Sequence, residues 1–124
     1  VRALLRLIAE IREVVHLSGV VDRQRAEAGP GAFVAELRQT GLTKVRRGAV
    51  ARRRLHRIIS LVDRLLPRPA NCYRRALVEI AMDAGAATEP LHFGLRAGGG
   101  KDSGHAWLGA QPAVGARYDA EFIL

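Results

Sequence analysis

The sequence predicts an α+β protein, with helices first and a small antiparallel sheet after them. Two observations carry this. Apolar residues recur every three or four positions in successive stretches from Leu4 to about Ala84, the spacing of helix faces. After Gly85 the period falls to two, with Leu91, Phe93 and Leu95 alternating with His92, Gly94 and Arg96. Helices followed by a run of short strands is the order of an α+β chain, not of alternating βα units. The 124 residues support a single domain, 1–124, with a helical part over 1–66 and a sheet-bearing part over 67–124. A hydrophobic content of 48% argues for a packed core.

Leu4, Leu5, Ile8, Ile11, Val14 and Val15 place one apolar face on a first helix over about residues 2–17, with Ser18-Gly19 as its stop. Residues 26–31 read as a loop. Phe33, Val34 and Leu37 predict a short second helix ending near Gly41. A long third helix is expected from about Thr43 to Leu66, on the stripe Leu55, Ile58, Ile59, Val62, Leu65 and Leu66, with Gly48 weakening or bending it. Pro67-Arg68-Pro69 ends that helix, because proline cannot continue the ladder and restricts its predecessor. Asn71 is a good N-cap for a fourth helix over about Cys72–Ala84, closed by Gly85. Three strands follow: Leu91 to Leu95, His105 to Leu108, and Ala116 to about Leu124, joined by turns at 97–103 and 109–115.

The net charge is +8. A solvated, arginine-rich surface explains it, and so does attraction to an acidic partner, a nucleic acid or a membrane surface. Lys44, Arg46, Arg47, Arg52, Arg53, Arg54 and Arg57 concentrate in the first half of the third helix. No aromatics alternate with them and no zinc-finger spacing is present, which argues against nucleic acid. No apolar run approaches a membrane span, and the charged N-terminus is not a signal peptide. A single cysteine cannot form an internal disulfide and fits a reducing compartment. The chain opens on Val1 rather than Met, which reads as a truncated start or a chain beginning inside its gene.

That cysteine is placed at a helix start, where free N–H groups and the helix dipole favour thiolate, the reactive form. Arg74 and Arg75 add positive charge beside it, and its own N–H can donate to an oxyanion. A lone cysteine is more often a small buried hydrophobe. What favours chemistry is its company: a His on one later strand and an acid on the next, the arrangement a thiol nucleophile needs. A turn centred on Pro112 pairs the second strand with the third and sets His105 opposite Asp119. Cys72, His105 and Asp119 then form a nucleophile, base and orienter. A two-residue slip brings in Glu121 instead, the reserve acid. Four dispersed histidines and one cysteine give no zinc spacing. Gly98-Gly99-Gly100 lacks the ending and following helix of a phosphate loop, so no cofactor or metal is expected.

Asn71-Cys72-Tyr73-Arg74-Arg75-Ala76-Leu77, His92-Phe93-Gly94-Leu95-Arg96 and Gly104-His105-Ala106-Trp107-Leu108 resemble the transglutaminase-like cysteine peptidases of lasso-peptide biosynthesis. The segment Leu65-Leu66-Pro67-Arg68 is similar as well, so the likeness spans about residues 50–122. It implies a papain/transglutaminase-like core over 67–124, with the nucleophile helix packed on the small sheet. It also implies a leader peptidase of the bacterial cytoplasm, with nucleophile Cys72, base His105 and acid Asp119. The partners implied are a precursor leader peptide, a separate leader-recognition protein and an ATP-dependent ring-closing enzyme. Leu108-Gly109 stands where the family usually has Val-Glu, and Leu95 where it has Val. Other acyl-transfer enzymes on the same core, and a basic helical adaptor with an inert cysteine, are the rival readings.

Overall fold

The computed structural model describes residues 1–24, 29–96, 104–109, 118 and 120–124. Among these, the helices are α1 (Arg2–Gln24), α2 (Pro30–Leu42), α3 (Ala49–Leu65), α4 (Cys72–Met82) and α5 (Ala84–Ala87). The strands are β1 (Leu91–Leu95), β2 (Gly104–Leu108) and β3 (Ala120–Ile123). The α+β order read from the sequence is the order observed.

Helix α4 is the centre of the molecule. It touches α1, α2, α3, α5 and β2. The sequence spacing gives it a buried stripe of Ala76, Leu77, Ile80, Ala81 and Ala84; the first four are buried, Ala84 is half-buried and outside the helix proper, and Val78 and Met82 are buried as well. The helix is therefore buried on most of its surface, Arg74 included, because other elements enclose it. The second helix packs on it so closely that a Cβ at Gly41 would collide with the Ile80 carbonyl. Leu55, Ile59 and Val62 of α3, Val14 and Val21 of α1, and Leu91 of β1 complete the core.

Three helix boundaries differ from expectation. The first helix runs past Ser18-Gly19 to Gln24. The Ser18 hydroxyl donates to the Val14 carbonyl at 2.7 Å, and burial of Ser18 and Val21 outweighs the roughly 1 kcal/mol cost of one helical glycine. The buried side of α1 is Val14, Ser18 and Val21, while Leu4, Leu5, Ile8 and Val15 lie exposed. The third helix begins only after Gly48, which caps it in an extended conformation. Polar anchors hold the residues before it: Lys44 pairs with Glu13 at 2.6 Å, and the Arg47 N–H donates to Asp83 at 3.0 Å. The fourth helix stops at Asp83, not Gly85. The buried Asp83 carboxylate accepts from the Gly85 N–H at 3.0 Å and opens the short α5.

The sheet is antiparallel with order β2-β1-β3. This corrects the expected pairing of β2 with β3. Leu91 is fully buried and Gly94 is buried, whereas all of β3 is exposed, so β1 takes the centre and β3 an edge. Eleven residues separate Leu108 from Ala120, more than a tight hairpin turn, so nothing in that spacing obliges β2 and β3 to pair. Leu91 and Leu124 exchange backbone hydrogen bonds at 2.9 and 2.8 Å, fixing β3 against β1. The turns expected at 97–103 and 110–115 lie outside the described residues, as do residues 116 and 117 of the expected third strand. No helix among the described residues is long and apolar enough to cross a membrane.

Candidate active site

Cys72 is the first residue of α4. The Asn71 side chain accepts from the Arg74 N–H at 3.2 Å, so the N-cap expected at Asn71 is present. The half-buried sulfur accepts a hydrogen bond from the Ala106 N–H at 3.3 Å. Strand β2 is an edge strand, and this contact ties its edge to the start of α4.

His105 directly precedes Ala106 and is half-buried. Cys72 and His105 line the same two cavities, of about 560 and 380 Å³. The structure therefore brings nucleophile and base candidates to one place. Burial, and secondarily the Arg75 guanidinium, hold the imidazole below its ordinary pKa of 6.5. A neutral imidazole is the form that can accept a thiol proton. The Trp107 ring stacks on His105, with centroids 5.6 Å apart, and on His92 at 5.3 Å.

The acid is the part that changes. Asp119 lies outside the described residues. The register that set it opposite His105 does not occur, because His105 pairs with Gly94 of β1. Glu121 also pairs with Gly94, from the other side. It shares a row with His105 but is two strand spacings away, about 10 Å at the backbone. The Tyr118 ring lies over Gly94, where even a Cβ would strike it. Glu121 is thus not the direct neighbour of His105 that a two-residue slip would have made it.

Sequence reasoning missed the clamp beneath the nucleophile. Asp63 of α3 is 2% exposed and Arg74 of α4 3% exposed. The Arg74 Nε donates to Asp63 at 2.8 Å, and its Nη1 donates to Asp22 of α1 at 3.1 Å. Asp63 also accepts from the Asn71 N–H at 2.9 Å and from Arg75 at 3.1 Å. Arg74 is therefore a structural cation, not a free charge beside the sulfur. The available signal was a single acid, Asp63, set against the apolar stripe of α3. Arg52 is likewise engaged: it donates to Glu79 at 2.9 Å and to Glu89 at 2.8 Å, which raises its pKa further.

Comparison with protein-family models, curated proteins and solved structures found no match to this chain. Among the described residues, no group of three or more His, Cys, Asp or Glu is placed to hold a metal ion.

Proposed function

We propose that the chain is a cysteine peptidase built on a papain/transglutaminase-like core, and that it removes the leader from a ribosomally made lasso precursor. The observation that carries the reading is the meeting of Cys72 and His105 at shared cavities, with the sulfur held by the Ala106 N–H at the start of a central helix. The likeness of the segments around Cys72, Gly94 and His105 to the lasso leader peptidases supplies the substrate class.

In this reading neutral His105 takes the Cys72 proton as the sulfur attacks a backbone carbonyl. The Cys72 N–H, at the first turn of α4, is the donor assigned to the oxyanion. The imidazolium then protonates the departing amine, leaving an acyl-enzyme. Water, deprotonated by His105, releases the leader acid and frees the thiol. Asp119 is kept as the proposed orienter of His105 on the resemblance alone, since the β2–β3 register that set it opposite does not form. The leader-recognition protein and the ring-closing enzyme are proposed partners, and the bacterial cytoplasm is the proposed setting.

The test is incubation of candidate precursor and recognition partner with wild-type or Cys72→Ala protein, followed by mass spectrometry. The expected products are free leader and a core peptide with a new N-terminal amine, both absent with Cys72→Ala. Products joined to an added amine, or shifted by loss of a side-chain amide, would point to crosslinking or deamidation instead. Cleavage that survived Cys72→Ala would end the proposal.

A further inference from the structure

The two cavities at the sulfur differ in chemistry. Aside from His105, the described side chains around the larger one carry no formal charge. Its walls include Pro30, Phe33, Tyr73, Phe93 and Leu95. The smaller one is lined by Arg52, Arg75, Glu79 and His56, along with Trp107. His105 borders both, but the Trp107 ring stacked on it at 5.6 Å borders only the smaller. Arg75, whose charge acts on the imidazole, also lines only the smaller cavity, so the imidazole is assigned to the charged side. A departing amine must receive its proton from the imidazole, so it leaves on that side. The acyl half of the substrate is left with the larger cavity.

We infer that the 560 Å³ cavity is the acyl-side subsite and binds a bulky apolar side chain of the substrate, aromatic or branched aliphatic. Its volume lies within the range of small-ligand pockets and exceeds a single side chain, so neighbouring backbone enters with it. The inference rests on the peptidase reading for the word acyl, but the apolar preference can be read on the cysteine itself. The Phe93 and Tyr73 rings meet at a tilt of 39°, with centroids 5.6 Å apart, and give the cavity an aromatic wall next to the sulfur. Ala70, exposed at the rim, has a side chain too small to obstruct entry.

The experiment compares two alkylating agents, iodoacetamide and N-benzyl-iodoacetamide, by intact-mass kinetics. In each the sulfur displaces iodide and forms the C–S bond, while the thiol proton passes to His105 or solvent. The rate ratio of benzyl to parent probe is referred to that of N-acetylcysteine amide. The expected wild-type ratio is about tenfold above the free thiol, as partial burial of one ring would give, with saturation in the benzyl probe. Ala70→Trp, which fills the rim, brings the ratio back toward the free-thiol value. Leu95→Asn, which removes an apolar wall from an exposed position, lowers it. A wild-type ratio equal to the free thiol overturns the inference. So does a raised ratio that persists in Ala70→Trp, since the ring would then be bound elsewhere. Slow reaction with both probes would count against the peptidase reading alone, because the ratio still judges the cavity.

Discussion

His105 is the residue whose charge state governs the proposed chemistry. Burial and Arg75 both disfavour its protonated form. The competent neutral form therefore persists to lower pH than for a free histidine. The acid limb of Cys72 alkylation, and of leader cleavage, is expected below pH 6.5. Arg75→Gln removes the positive neighbour, so the limb should move upward; a pH–rate profile of the variant checks this, and a downward move would contradict it. Cys72 and His105 were legible in the sequence because each sits in a local pattern: a helix start after Asn71, and the run Gly104-His105-Ala106-Trp107. The relation of His105 to an acid was not legible. It depended on which strand lies beside which, and a one-dimensional count assumed the nearest neighbour in sequence. Gly94 shows the difference, since it meets both His105 and Glu121 across β1.

Helix α4 holds the sulfur, and two features fix the helix. The first is the buried Asp63–Arg74 pair, which ties its first turn to α3, with Asp22 adding α1. Asp63→Ala leaves Arg74 buried without its main partner and should destabilise the protein by about 3–5 kcal/mol. Denaturant unfolding measures this; a loss under about 1 kcal/mol would mean that water reaches the pair freely. The second is Gly41, where the α2 backbone meets the Ile80 carbonyl. Gly41→Ala forces the helices apart and should cost at least about 3 kcal/mol, the upper end of ordinary overpacking. The start of α4 at Asn71 was legible because its cap is local, whereas its early stop at the buried Asp83 was not. The length of α1 and the late start of α3 were not, because burial of Val21 and the anchoring of Arg47 on Asp83 are tertiary.

Across the molecule, the arginines that dominate the composition divide into two groups. Arg52 links α3 to Glu79 of α4 and to Glu89 just before β1. Arg52→Gln is expected to lose about 2 kcal/mol of stability, since its charged hydrogen bonds are partly buried. Arg53 and Arg57 are exposed and form no ion pair with the described residues. Replacing both with Gln should change stability by no more than about 0.5 kcal/mol while raising the KM for an acidic leader. Unchanged processing in that variant would remove leader docking from the explanation of the net charge. Composition announced the charge, but only the fold separates the arginines that hold helices together from those that face outward. The convergence of Cys72 and His105 is the claim on which the function turns, and thiol kinetics test it most directly. Iodoacetamide labelling of Cys72 should be fast at neutral pH in the wild type and at least about tenfold slower in His105→Ala, given the usual worth of a positioned base. Equal rates in the two proteins would show that the imidazole does not serve the sulfur, and would contradict the account.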